Sequence, residues 1–400
     1  MIQKTLSLYK TSFTGLSPQT WLLSVVMLIN RSGTMVIPFM TLYLTSKEMG
    51  RSLSDAGTVI GLFGFGSIIG AFLGGKLSDG IGFHKVQLIT LFSGGIMFMV
   101  LGQIKSFPLI CVCTFILSLL NEAFRPANSS AVAFYSTIAN RTRSFSLNRL
   151  AINLGWAVGT SVGGLIASYN YELLFWVDGG TNISAAVLLF FSLNPKNLAQ
   201  KAEAKPEEHA GTASPYRDKA YLFFIFLTTM FGFCFFQMFS TVPKYFRDNL
   251  FLSEKFIGFT MALNGILIVI IEMVLVYRLE GRKKPLVFST IGTFICAIAF
   301  LSLLLPLEAK LVVLLMIILI TIGEILAMPF MNTYWTMRTS DKNRGAYAAM
   351  YTMAWGIGQS VGPYFCSRLV ELTNFNMLFI TLGGIMSLAA LGFWRLNKVS

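Results

Sequence analysis

The chain has 400 residues, of which 54% are hydrophobic and only 12% charged. A soluble domain carries about 25% charged residues, so a soluble globular chain is excluded and a membrane protein is indicated. The formal charge of +13 does not require a nucleic-acid partner, because membrane proteins gather Lys and Arg in their cytoplasmic loops.

Apolar runs of roughly 20 residues, each long enough to cross a hydrocarbon core as a helix, recur along the chain. They are continuous and rich in Gly, Phe, Leu and Ile, unlike the ~10-residue alternating strands of a membrane barrel. The expected fold class is all-α: a polytopic membrane protein with about twelve transmembrane helices in two pseudo-symmetric six-helix bundles. The opening stretch MIQKTLSLYKTSFTGLSPQTWLL has no short apolar core followed by a small-residue cleavage site, so the first span is expected to stay as an anchor.

The first span, from about Gln19 to Leu44, carries Arg31 near its middle. In the second, GLFGFGSIIGAFLGG (Gly61 to Gly75) spaces its glycines for close helix packing rather than for a nucleotide loop. The fourth span starts near Pro108 and contains LLNEAFRPANSS, with Glu122, Arg125 and Asn128. Arg141, Arg143 and Arg149 group with the basic residues of the connection that follows. Asp178 lies about a turn and a half into the sixth span.

Residues 195–220 form the longest polar stretch and are expected to be a cytoplasmic linker between bundles at 1–194 and 221–400. Past it come Phe233, Phe236 and Gln237, then Glu272, about two turns before the basic loop Arg278 to Lys284. The tenth span starts near Lys310 and holds Glu324, Asn332, Tyr334 and Trp335. WAVGTSVG at Trp156 reappears as WGIGQSVG at Trp355, and Glu122 corresponds to Glu324, which a duplication explains. With the amino terminus inside, Lys and Arg crowd the inner connections, so both termini are expected to be cytoplasmic. A bacterial inner (cytoplasmic) membrane is the expected location.

An ionised group at the bilayer centre costs at least ~2.5–3.5 kcal/mol, so such groups usually face a bundle interior or a wet cavity. Glu122 and Glu324 each lie about 21 Å along their helices, near mid-membrane. Glu122 and Arg125, three residues apart, share a helix face and form either a local ion pair or a proton-operated switch that frees Arg125. Glu324 has no basic residue within a turn and leads the proton-coupling candidates, ahead of Glu122, Glu272 and Asp178. Glu272 could instead snorkel to the basic loop. Substrate-binding candidates are Arg31, Arg125, Asn128, Gln237, Asn332, Tyr334 and Trp335, with Phe233 and Phe236 as further aromatic walls. Cys111, Cys113, Cys234, Cys296 and Cys366 all fall in apolar runs and are read as packing residues, so no metal or cofactor is expected.

GKLSDGIGFHK, Gly75 to Lys85, is similar to the loop G-x-L-[AS]-D-R-x-G-R-[RK] of the major facilitator superfamily, matching at Gly75, Leu77, Asp79 and Gly82, with Gly80, Phe83 and His84 at usual basic positions. YRLEGRKKP at Tyr277 is a weaker second copy. INRSGTMVIPFMTLYL, LLFWVD, GTSVGG (with Thr160 where Pro is usual) and GEILAMP resemble the drug/proton antiporter-like subgroup. The resemblance covers nearly the full length. It implies gating by Asp79, Gly75, Gly82 and Lys85, with the Asp79 carboxylate capping span eleven, and proton coupling at Glu324.

The expected function is a secondary active transporter, a proton-coupled antiporter exporting an amphipathic or drug-like organic molecule by alternating access. The alternatives are uptake or facilitated transport of an anionic or zwitterionic metabolite, suggested by Arg31 and Arg125, and a non-transporting sensor or scaffold. No phosphate-binding G-x-x-x-x-G-K-[ST] loop and no H-E-x-x-H occurs, so neither a primary pump nor an enzyme is expected. The expected partners are a small-molecule substrate, protons and the lipid bilayer, with the chain working as a monomer.

Overall fold

The computed structural model describes residues 2–193 and 214–399. Most of the expected linker, residues 195–213, lies outside the described residues. A short helix α1 (Ile2–Ser12) leads into α2 (Pro18–Ser32) and α3 (Val36–Leu44), which together make one broken span. Then follow α4 (Leu53–Ile81), α5 (Phe83–Gln103), α6 (Phe107–Tyr135), α7 (Arg141–Tyr169) and α8 (Glu172–Ser192). The second series comprises α9 (Lys219–Phe235) and α10 (Thr241–Asp248), again one broken span, then α11 (Glu254–Leu279), α12 (Pro285–Ser302), α13 (Ala309–Thr336), α14 (Arg344–Leu372) and α15 (Phe375–Val399). No strand occurs among the described residues, as expected where a bilayer forces every backbone N–H to find its partner within the segment.

Among the described residues, eleven stretches are long and apolar enough to cross a membrane. The remaining long helix of the bundle is α14, whose Gly, Ser, Gln and Tyr content lowers its hydropathy. It packs against helices of both series, α4 and α6 on one side and α9 on the other, and so has less lipid to face. Within the first series α4 lies on α6, α5 on α6 and α8, and α2 on α7 and α8. The second series repeats the scheme, with α12 on α13 and α15, α9 on α14 and α15, and α11 on α13.

The two broken spans are held by side chains. Asp178 on α8 caps the restart at α3, taking the Met35 N–H at 3.0 Å and the Val36 N–H at 2.8 Å on the same oxygen. A carboxylate at a helix amino terminus satisfies orphan N–H groups and meets the positive end of the dipole. Where α9 ends, Gln237 spans the break: its amide N–H donates to Phe233 O at 2.8 Å, and its carbonyl accepts from Thr241 Oγ1 at 2.7 Å.

The two series touch across a seam most tightly at the face that carries the connections 136–140, 280–284 and 337–343, here termed the terminal face. There α4 crosses α14 with almost no side-chain volume between them. A Cβ on Gly75 would stand 2.3 Å from both Gly345 O and the Ala349 methyl. At this crossing the Asp79 carboxylate accepts from the Gly345 N–H at 2.6 Å and the Ala346 N–H at 2.7 Å, capping α14 from the other series.

Two outcomes test this geometry. Asp178→Ala strips the cap from α3 and should cost about 2 kcal/mol or more, read as a lower melting temperature of the detergent-solubilised protein; an unchanged midpoint would show that the break needs no cap. Gly75→Ala should hold α4 and α14 apart, so that a short bifunctional reagent joins a Lys76→Cys/Lys342→Cys pair less efficiently than in the otherwise unchanged protein.

Candidate functional site

The seam is closed by an arginine from one series and two carboxylates from the other. From sequence Arg149 belongs with the basic loop residues; in the structure it stands inside α7, eight residues past the first, Arg141. The stretch RTRSFSLNRL reads as a polar connection, yet Ser144, Ser146 and Asn148 are buried, because this end of α7 packs among helices. Arg149 Nε donates to Glu272 Oε2 on α11 at 3.0 Å, and Nη2 lies 2.8 Å from the same oxygen. Its Nη1 reaches Glu324 Oε2 on α13 at 3.2 Å.

Glu272 and Glu324 are 1% and 2% exposed. The second Glu324 oxygen accepts from Asn264 Nδ2 at 2.5 Å, and the same amide meets Thr321 Oγ1 at 2.8 Å. With every group ionised the triad carries one uncompensated negative charge. A planar guanidinium is suited to this position, since its fork presents separate N–H groups to two acceptors at once. Glu272 therefore does not snorkel to the basic loop.

Nearer the terminal face a second bridge crosses the same seam. Arg143 Nε donates to Glu280 Oε2 at 2.7 Å, and its guanidinium also reaches the carbonyls of Ser12 and Thr14 that follow α1. Thr142 and Thr333 share a hydrogen bond of 2.8 Å across it.

On the first series, Arg125 Nη1 donates to Glu122 Oε2 at 2.9 Å, within α6. Their side chains are 35% and 14% exposed, so this pair faces an accessible space. Arg31, at the end of α2, lies within electrostatic reach of both, and its Nε is buried without a hydrogen-bond partner.

Several residues expected in a binding cavity are instead tied into the fold. Asn128 is the middle of a buried amide ladder, accepting from Gln87 Nε2 and donating to Asn148 Oδ1, each at 3.1 Å. Gln237 and Asp178 hold the helix breaks. Trp335 is fully buried near the end of α13, with its ring 6.1 Å from Phe145 across the seam, and its indole N–H donates to Asn332 Oδ1 at 3.2 Å. Tyr334 packs against Phe224 with the rings tilted by 46° and lies under Arg338. For Asn128, Gln237 and Asp178 the polar atoms join helices, whereas Asn332 bonds within α13 itself, to Met328 O and the Trp335 indole. Gly82 takes a φ of +90° between α4 and α5, and Lys85 is exposed at the start of α5.

The structure adds residues with no clear sequence signal: Arg149, Asn264, the Arg143–Glu280 bridge and the Asp218–Arg338 pair ahead of α9. Burial works to raise the Asp218 carboxyl, but hydrogen bonds from Arg338 (2.8 Å each), the Tyr221 N–H and Tyr347 hold it below the usual carboxylate range. GTSVG and GQSVG match G-x-S-x-G by letter. Both lie inside helices, α7 and α14, not on the strand-to-helix turn that exposes a nucleophile.

Known proteins share this build. The family model of the Major Facilitator Superfamily matches residues 20–363. A Bacillus subtilis MFS-type transporter, YqjV, is 26% identical over 378 residues, covering 92% of this chain and 91% of its own. The quinolone resistance protein NorA of Staphylococcus aureus is 20% identical over 357 residues, covering 88% and 90%. Among solved structures, the human organic anion transporter MFSD10 superposes with a TM-score of 0.77 at 15% identity, covering 94% of this chain and all of that one. The proton:xylose symporter XylE gives 0.72 at 16%, covering 94% of each. The bundle of broken and continuous spans, closed by ion pairs across a seam, is thus a membrane transporter's and not an enzyme's: the chain belongs to the Major Facilitator Superfamily.

Proposed function

We propose that this chain is a proton-driven exporter of an amphipathic organic molecule, and that Arg149, Glu272 and Glu324 couple proton uptake to alternating access. One observation carries the reading: a single guanidinium of the first series is shared by two buried carboxylates of the second. The bundles 1–194 and 221–400 then move as two bodies about this contact, with 195–220 linking them.

The sign follows from the charges. With both carboxylates ionised, Arg149 is held on two sides and the terminal face is closed. A proton on Glu324 or Glu272 removes one of those attractions, which favours separation of the two bodies. If the terminal face is cytoplasmic, as the crowding of Lys and Arg there favours, protons arriving from outside open the carrier inward. Release of the proton to the less acidic interior restores the carboxylate, and the latch re-forms around the outgoing substrate. The likeness to a quinolone resistance protein supports the outward direction. Gating at Asp79 and Gly75 fits the same cycle, because the α4–α14 crossing must part when the latch does. All these groups come from one chain, so a monomer suffices.

Glu324→Gln should lower pH-gradient-driven flux in proteoliposomes at least tenfold while substrate counterflow persists. Unchanged driven flux would remove Glu324 from the coupling. Arg149→Lys keeps the charge but loses the fork. Distances between spin labels at Lys85→Cys and Lys283→Cys, on opposite sides of the seam, should lengthen in that variant and on acidification of the parent. A distribution that stays unchanged under both would sink the latch.

A further inference from the structure

We infer that the transported molecule carries an acidic group, a carboxylate or its equivalent, held by Arg31 and Arg125 beside Glu122. This deepens the proposed function and rests on its reading of the chain as a small-molecule carrier.

The charges on the page are unequal. Two guanidiniums, Arg31 of α2 and Arg125 of α6, stand with one carboxylate, Glu122. That carboxylate is already engaged by Arg125 at 2.9 Å. Arg125 and Glu122 both act electrostatically on Arg31, whose stem lies against Gly155 of α7. The cluster therefore holds one positive charge without an anion, in a chain where the latch holds one negative charge without a cation. Buried charge without a partner is costly, and so is a buried N–H without an acceptor. The Nε of Arg31 is such a donor. A ligand carboxylate supplies both missing parts at once, the charge and the acceptor.

The site is accessible and its neighbours suit an amphipathic ligand. Arg125 is 35% exposed while its partner Glu122 is 14% exposed, so the pair opens to one side. On α7, Gly155 backs directly onto Arg31, and Trp156 beside it, 43% exposed, offers an apolar ring. A cationic ligand would meet the opposite situation, two guanidiniums and no free carboxylate.

The test uses three fluorescent probes with one dansyl-alkyl body, ending in a carboxylate, its methyl ester or a primary amine. Binding to the purified full-length chain is read by fluorescence anisotropy. The carboxylate should bind at least tenfold tighter than either other probe. Arg31→Gln and Arg125→Gln should each weaken it at least tenfold, and Arg31→Lys should restore part of the loss. Equal binding of ester or amine, or no binding of the carboxylate, overturns the inference, and so does a well-folded Arg31→Gln protein with unchanged affinity. Should the Gln variants fail to fold, the comparison of probes on the parent protein decides alone. Arginine-dependent binding of a carboxylate that no pH gradient can move would instead strike the proposed proton coupling and leave the acidic site standing.

Discussion

The closed seam depends on one guanidinium. Arg149 is held by Glu272 and Glu324 in a place where neither carboxylate is more than 2% exposed. Buried ion pairs contribute little net stability, because desolvating the charges offsets most of their attraction. Breaking one is another matter, since the charge left behind has neither partner nor water. In the proposed cycle the terminal face is therefore either shut with all three groups satisfied or parted far enough to let water in. Intermediate separations are penalised, and that penalty would make a two-position gate out of a continuous helix contact.

A gate of this kind works only if the bodies on either side are stiff. Their stiffness comes from the polar residues that are not at the gate. Asp178 fixes the restart of the first broken span and Gln237 the turn in the seventh, while the Gln87–Asn128–Asn148 ladder ties α5, α6 and α7 together. In a hydrocarbon surrounding, such bonds have no competition from water, so a break in a helix can be held in one geometry. The α4–α14 crossing adds a steric condition. Gly75 and Gly345 allow backbone to meet backbone, and Asp79 then reaches the end of a helix in the other series. The crossing and the latch register on each other, since both close at one separation.

The spans and the family were legible because a bilayer leaves coarse marks: continuous apolar runs, basic residues sorted by side, and a loop motif around Asp79. Glu324 stood out for the same reason, as a carboxylate in an otherwise apolar segment. Its partner did not. Arg149 sits in RTRSFSLNRL, whose serines and arginines look like a loop until the packing of α7 against α11 and α13 is known. Nor does a sequence distinguish a polar residue that faces open space from one that bonds a neighbouring helix. Asn128 and Gln237 carry the same signal in an apolar run as a binding residue would. Trp335 likewise belongs to the seam, because burial at a helix end is set by what crosses it and not by the residue.

The duplication shows where the two series have diverged. Glu122 and Glu324 occupy matching places on α6 and α13, yet their cations come from different sources. Glu324 is met across the seam by Arg149; Glu122 is met within its own helix by Arg125. Among the described residues no cation of α14, the counterpart of α7, pairs with Glu122, and α14 carries Tyr351 in this stretch. That tyrosine lies in the fields of both Arg149 and Arg125. A symmetric molecule would have two latches and nothing left over. Here the first series keeps its acid–base pair to itself, and Arg125 of that pair and Arg149 of the latch both act on the same tyrosine. Discharging either centre changes the field at the other, so on the proposed reading a ligand at the arginine cluster and a proton on the latch would be linked through the bundle without a moving part between them.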